Sequence, residues 1–374
     1  MKHFSSYWER SVLLRPLDFA IIGAGLVGKQ IAIKLKAKFP LSRIAIIDRS
    51  PISYGASTRN AGFSCFGSVT EIVDDLSHTD ASQVAQLAQK RFQGIQQLVE
   101  SFGADNIGYR NTGSFEIFKN ESDFNQAFEH LNSVNQLLEE QANIKNAFSI
   151  QSTSNMKMNC HHQCIFNPYE GMLNSGMLNE TINDIAHRSG VLPFYGLNIV
   201  EFEKDANGYR LLSEDGMELQ CKQLIIANNA FASQLMPELD VVPARGQVII
   251  TEPIANLPFD GIFHSDKGYI YFRNIDNRVL IGGGRNAFKE QETTYDFEGS
   301  EALKTYLENY LKEVVLPNHD FKTDMHWSGI MAMGKQKLPI VKRYDENLVL
   351  CVRMSGMGVA LAPVLSSDVL AFFD

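Results

Sequence analysis

The sequence predicts an α/β fold, α+β overall: a doubly wound domain assembled from separated stretches of chain, and a second domain built on a mixed β-sheet flanked by helices. Three observations predict it. An apolar run, a glycine-punctuated turn and a helical pattern follow one another over residues 18–38 and lead into a second apolar run, which is a βαβ unit. Alternating stretches joined by Asn-Gly and Asp-Gly recur through the middle of the chain, and a glycine-rich turn with a final helix closes it. A chain of 374 residues, 44% of them hydrophobic, buries more than one domain usually needs.

The elements follow in order. Residues 18–23 are a short continuous apolar run stopped by glycine, as in a strand covered on both faces, and 43–48 repeat it. Between them, 26–38 space their apolar residues for a helix. Residues 81–102 and 121–141 are polar and helix-prone, and 107–118 between them alternate as a strand does. These belong to the second domain. Residues 171–189 read as a helix, and the stretch after them as strands turned at Asn207-Gly208 and Asp215-Gly216. From 241 to 284 strands dominate, interrupted by Pro253, Pro258 and Gly261. Residues 300–314 are helical, and the last fifty or so form two or three strands and a helix over 358–373. No repeat or low-complexity linker separates these stretches, so the domains interleave. The first is expected to take residues 1–80, 150–240 and 325–374, and the second 81–149 and 241–324.

Charge and composition exclude several classes. The net charge is −9, without the basic clusters that a phosphate backbone requires, so nucleic acid is excluded as a partner. No apolar run reaches the roughly 18 residues of a membrane span, and the charged start lacks a signal peptide's apolar stretch. A cytoplasmic protein is expected. The five cysteines are scattered and odd in number, which predicts free thiols. Cys160, His161, His162 and Cys164 crowd "NCHHQC", too tightly to close a tetrahedron around one ion, and no metal is expected.

The turn "GAGLVG" carries the first chemistry. Gly23 permits a tight turn off the strand, Gly25 lets backbone approach a pyrophosphate, and Gly28 lets helix and strand close up, with Leu26 and Val27 opening the helix toward the anion. Asp48 lies about 20 residues beyond, where a carboxylate accepts from a ribose diol and disfavours a 2′-phosphate. NAD and FAD both remain. A second small-residue segment follows directly, in which Ser57, Thr58 and the amides from Ala56 to Ala61 offer hydrogen bonds to a further stretch of a long cofactor; a plain polar loop is the rival reading.

At these residues the chain resembles the D-amino-acid oxidase superfamily, in its branch with glycine oxidase, monomeric sarcosine oxidase and gamma-glutamylputrescine oxidase. "GASTRNAG" matches that family's "GASxRNAG" on the FAD diphosphate, "LIIANNAFASQLMP" its A-x-G-A-W turn, "VPARGQVIITE" its P-x-R-G-Q crossover, and "MSGMGVALAP" its closing motif. The resemblance implies a Rossmann-like domain and non-covalent FAD held by Gly23, Gly25, Leu26, Val27, Gly28, Asp48, Arg49 and Ser50. It adds Ala56, Ser57, Thr58, Arg59, Asn60, Ala61 and Gly62, with Ile199 or Val200 at the adenine and Asn228 and Asn229 in the second turn. Gly356, Met357, Gly358, Val359 and Ala360 would take the polar edge of the ring.

The departures bear on substrate. Asn229 stands where relatives have glycine, and Asn tolerates a left-handed turn best among the other residues. Arg353 also replaces a glycine, and either meets substrate or flavin or points to solvent. Met331 aligns with the arginine by which glycine oxidase binds a carboxylate, so that charge must come from Arg273, Lys335 or Arg353 if the substrate is an α-amino acid. Tyr269, Tyr271 and Arg273 alternate on one strand face, either as a cavity wall suited to an amine or as ordinary sheet surface. Ile330 and Leu280 align with the flavin-linking cysteine and the oxygen-activating lysine of sarcosine oxidase relatives, which implies neither covalent attachment nor assured reaction with O2. Cys65 is expected to be a packed small side chain, and His264 and His326 are candidate proton acceptors that such lone histidines seldom are. The reading is oxidation of a C–N bond of a small amine or amino acid, with O2 or another electron acceptor; its rivals are 2-hydroxy acid oxidation and a flavin-binding protein without turnover.

Overall fold

The structure is a computed structural model that describes residues 6–374. Its strands are β1 (Leu17–Ile22), β2 (Ile44–Asp48), β3 (Phe63–Ser64), β4 (Ser114–Glu116), β5 (Ser149–Ser152), β6 (Gln163–Asn167), β7 (Gly171–Met172), β8 (Leu192–Tyr195) and β9 (Ile199–Asp205). There follow β10 (Gly208–Ser213), β11 (Glu218–Ile226), β12 (Val242–Thr251), β13 (Ile262–Ser265), β14 (Ile270–Ile275), β15 (Arg278–Gly283), β16 (Thr323–Met333), β17 (Ile340–Asp345) and β18 (Leu348–Val352). The α-helices are α1 (Leu26–Lys38), α2 (Ala56–Arg59), α3 (Val69–Leu76), α4 (Ala81–Phe102), α5 (Glu121–Ala142), α6 (Ser175–Arg188), α7 (Ala232–Leu235), α8 (Glu301–Tyr310) and α9 (Gly358–Leu370).

The chain divides into two compact units. One holds the described residues through Thr58, Gly176–Ala244 and Met331–Asp374; the other holds Arg59–Ser175 and Arg245–Ile330. These divisions fall at 58/59 and 175/176, where the sequence expectation placed them near 80 and 150. Pairing explains the shift: β3 joins β7, while β4 joins both β6 and β13, so the chain from 59 to 175 closes on second-unit strands.

In the first unit the sheet runs β17-β18-β11-β1-β2-β8, with β9 and β10 attached through β11. Strands β18, β11, β1, β2 and β8 are parallel, and β17 is an antiparallel edge. Ala20, Ile21, Ile44, Ile47, Leu224, Ile225, Leu348 and Val349 are fully buried, as strands covered on both faces must be. Each larger one contributes about 1.5–3 kcal/mol. Helices α1 and α9 pack together. The chain leaves β1 through α1 toward β2, whereas β11 lies on the other side of β1, so the switch point falls between β1 and β11.

In the second unit the sheet runs β16-β12-β15-β14-β13-β4-β6-β5. Phe263 and Phe272 stack with centroids 4.8 Å apart in a core completed by Leu303, Leu307 and Leu311. The helix expected over 171–189 begins only at Ser175, because Gly171–Met172 pairs with Phe63–Ser64 instead. None of the described helices is long and apolar enough to cross a membrane.

Candidate active site

The first unit gathers its functional turns at the carboxyl ends of four parallel strands. Gly23 follows β1 at φ +113°, and a Cβ there would stand 2.6 Å from the Ala227 carbonyl that follows β11. A Cβ on Gly28 would lie 1.9 Å from the Gly23 carbonyl, so helix and turn touch backbone to backbone. Helix α1 starts at Gly25 with no side-chain cap of its own; the Leu26 amide donates to Ser57 Oγ at 2.9 Å, and Val27 is buried. Asp48 ends β2. Its Oδ2 accepts from the Ala24 amide at 2.7 Å and its Oδ1 from the Ser50 amide at 2.9 Å, so it shapes the glycine turn and retains lone pairs for a ligand. Arg49 lies over the Phe231 ring, its guanidinium 3.6 Å from the centroid. Ala56, Ser57 and Thr58 begin α2, Ile199 is buried at the start of β9, and Val200 is exposed.

Lys29 was missed in the sequence, although a lysine beside the last glycine of an inward helix face is a legible oddity. It is fully buried, and its Nζ donates to Ser53 Oγ at 2.6 Å and Asn179 Oδ1 at 3.4 Å. Burial pulls its pKa down to about 8 against the attraction of Asp48. Below pH 8 the charge is carried folded and unfolded alike and its burial cost is fully present; the cost fades as pH rises from about 8 toward the unfolded value near 10.4. Stability of the flavin-free chain should therefore rise over that window by about 3 kcal/mol relative to Lys29→Met, measured by urea unfolding at each pH. Parallel curves for the two proteins would contradict this.

The third and fourth turns meet through one side chain. Asn229, after β11, stands at φ +52°, the left-handed region a glycine would occupy without strain. Unlike glycine, it also accepts: Oδ1 takes the amides of Arg353 (3.1 Å) and Met354 (3.2 Å) after β18. Arg353, itself at φ +64°, is buried rather than turned to solvent. It donates to Asp240 Oδ2 at 2.6 Å, to the Asp240 carbonyl and to the Leu338 carbonyl, so its charge is already matched. Gly356 follows at φ +85°, and helix α9 begins after Met357 without a side-chain cap, leaving the amides of Gly358, Val359 and Ala360 as donors. A Cβ on Gly356 would lie 3.5 Å from the Met331 sulfur, so an uncharged thioether stands beside this turn. Lys335 is exposed.

In the second unit, Arg59 donates to the Ser328 carbonyl at 2.7 Å, and Asn60 Oδ1 accepts from the Gly62 amide and Ser175 Oγ. Tyr271 and Arg273 lie on the face of β14 that carries the segment after Asn60: Ala61 and Phe63 pack with Tyr271, Leu280 and Trp327. Tyr269 precedes β14 and is exposed, so the alternation read from the sequence holds for two of its three residues. Arg273 is buried, and its Nη1 donates to the carbonyls of Gly62 (2.9 Å) and Leu173 (2.8 Å), where a Cβ on Gly62 would collide with it. Burial pulls its pKa down to about 10, still charged at neutral pH, and pushes Tyr271 up to about 12. His326 Nε2 pairs with Gln247 Oε1 at 2.8 Å, and burial lowers its pKa. His161 stacks on Phe124 with ring centroids 4.6 Å apart.

The first unit fits an extended dinucleotide. Two helices begin there with no cap from the N-cap residue itself, although Ser57 Oγ takes the first amide of α1, and Asn228 Oδ1, beside the glycine turn, is buried with no hydrogen-bond partner, an acceptor a ligand would satisfy.

Comparison with known proteins agrees. The model of the DAO family, FAD dependent oxidoreductase, matches residues 18–371. Among solved structures, glycine oxidase from Geobacillus kaustophilus is similar at 19% identity and TM-score 0.76, with 96% of this chain and 94% of that chain covered. L-proline dehydrogenase from P. horikoshii is similar at 16% identity and TM-score 0.75, covering 96% and 93%. Iminodiacetate oxidase from Chelativorans sp. BNC1 matches at 16% identity and TM-score 0.75, covering 95% of each. No curated protein sequence matches. At such identities the structures establish the fold, and the family model establishes the rest: this chain belongs to the DAO family of FAD-dependent oxidoreductases.

Proposed function

We propose that the chain oxidises the carbon–nitrogen bond of a small amine or amino acid, giving an imine that water hydrolyses, and that FAD is held without a covalent bond. The observation that carries this is the set of backbone turns at the carboxyl edge of one parallel sheet, two of them opening helices whose N-cap residues give no side-chain cap. The turn at Gly23–Gly28 and the start of α1 would hold the diphosphate, Asp48 the ribose, and the start of α9 the polar edge of the ring. The flavin supplies the hydride acceptor. The amides at the start of α9 favour negative charge through the helix dipole. Leu280 and Ile330, both buried and aliphatic, offer no atom for a covalent link or a proton relay. Acid precipitation of the yellow protein should release all its flavin to the supernatant.

The chain's part in the chemistry is positioning more than proton transfer. A neutral amine carries its own lone pair to the reaction, so alignment and exclusion of water do most of the work. Arg273 and Tyr271 support the Ala61–Phe63 segment, and Arg353 sets the turn ahead of α9. With Met331 beside Gly356, its thioether offers no charge for a substrate carboxylate at that place.

Anaerobic bleaching of the bound flavin by a panel of primary and secondary amines, amino acids and hydroxy acids tests the reading. Bleaching by hydroxy acids alone would overturn it. The rate of recovery on admitting air then separates O2 from another acceptor. Met331→Arg should lower the KM of small α-amino acids relative to amines by about 10–100-fold, the worth of one charge-assisted hydrogen bond. An unmoved ratio would remove this residue from the substrate site.

A further inference from the structure

The second unit buries a cluster that no motif drew together. Cys65 follows β3, Glu170 precedes β7 and His264 lies in β13, with exposures of 6%, 0% and 5%. The Glu170 carboxylate is aimed by backbone: Oε1 accepts from the Phe66 amide at 2.6 Å and the Gly67 amide at 3.1 Å, which leaves Oε2 buried without a hydrogen-bond partner. Nε2 of His264 is also buried and unpartnered, and stands 3.6 Å from Oε2, beyond a hydrogen bond. Cys65 Sγ completes the group: the three donor atoms lie within 4.8 Å of one another, the one such set of three or more among the described residues.

Glu170 Oε2 and His264 Nε2, both buried, face each other as an ion pair at 3.6 Å without a hydrogen bond, a separation that also admits a shared ion. Donors each about 2.1 Å from a tetrahedral ion stand about 3.5 Å apart, close to the Oε2–Nε2 separation seen here. Charge points the same way. Glu170, Glu71 and Glu116 all act on His264, while Arg91 is paired with Glu71 at 3.3 Å. Glu116 spends Oε1 on the hydroxyls of Ser68 and Thr70. The surroundings of His264 are acidic, which favours a cation there.

We propose that Cys65, Glu170 and His264 bind one divalent ion of the zinc class, with a fourth coordination position open. A sulfur, a nitrogen and an oxygen donor suit Zn²⁺ or Co²⁺ and not Mg²⁺ or Ca²⁺. The Cys65 thiol gives up its proton to solvent on binding, and His264 coordinates as the neutral ring. The ion ties the segment after Ala61 to β13 and is independent of the flavin assignment. The competing occupant of the same gap is a proton on His264, shared with Glu170.

The test uses the flavin-loaded protein, dialysed against a chelator and titrated with Co²⁺, read as a difference spectrum. One Co²⁺ per chain is expected, with tetrahedral d–d absorption, a thiolate-to-cobalt charge-transfer band and displacement by one equivalent of Zn²⁺. Cys65→Ser should lose that band, and Cys160→Ser should keep it. If Cys65→Ser does not fold, X-ray absorption on the cobalt-loaded wild type decides, with one sulfur and two or more nitrogen or oxygen neighbours expected. No uptake at one equivalent, a band that survives Cys65→Ser, or a cobalt shell without sulfur overturns the proposal.

Discussion

Gly28→Ala should purify as a folded but nearly colourless protein, its affinity for FAD lowered about 10–100-fold. The added Cβ would stand 1.9 Å from the carbonyl oxygen of Gly23 and 3.1 Å from its carbon. Neither neighbour is a flexible side chain; both belong to the turn that must present its amides to the diphosphate. Relief therefore moves α1 away from β1 or rotates the turn, and either change displaces the helix start. Overpacking of this kind costs about 1–3 kcal/mol, and each 1.4 kcal/mol is a factor of ten in binding. Gly55→Ala is the matched control, because a Cβ there meets nothing within 4 Å. Flavin content of the two purified variants, from absorbance against protein concentration, checks the contrast. Equal occupancy would show that the close approach at Gly28 is not what shapes the site.

Glu292→Ala should lower stability by about 3–5 kcal/mol, the usual cost of stranding one member of a buried ion pair. Arg245, from the P-x-R-G-Q stretch, donates through Nε to Glu292 Oε2 at 2.7 Å and through Nη2 to Oε1 at 3.0 Å, a bidentate pair with side-chain exposures of only 8% and 0%. The same guanidinium donates to the carbonyls of Glu298 and Gln291, so it cannot swing out to water without breaking the loop before α8. Removing the carboxylate leaves that charge in place and uncompensated. The double variant Arg245→Met, Glu292→Leu should recover most of the loss, because the desolvation cost disappears together with the attraction. Urea midpoints of the wild type, both single variants and the double variant close the cycle. A Glu292→Ala loss below about 1 kcal/mol would mean that solvent reaches the pair.

Much of the first unit was legible because its signals are local. The run over 18–23, the glycines at 23, 25 and 28, and the acidic end of β2 each declare their backbone conformation within a few residues. Asn229 was readable for the same reason, since a left-handed turn selects a short list of side chains. What it does with its amide was not readable, because the acceptor bonds run to Arg353 and Met354, more than a hundred residues on. Arg353 shows the limit most sharply: its sequence neighbourhood suggested substrate, flavin or solvent, and its partner, Asp240, lies in another segment of the same unit. Residues 150–175 were assigned to the wrong side of the division for a related reason. Strands such as β6 and β7 carry no mark of which sheet accepts them.

By itself the sequence determined the βαβ opening and a turn fit for a dinucleotide, and its resemblance to a family pointed to FAD, since glycine spacing, apolar period and turn chemistry are properties of neighbouring residues. Only the tertiary structure decided which charges are already matched and which buried polar atoms still lack a hydrogen bond: Arg245 with Glu292, Arg353 with Asp240, and Glu170 Oε2 facing His264 Nε2 beside Cys65. The physical reason is that pairing depends on distance in space, and strand registers bring together residues whose separation along the chain carries no record of that proximity.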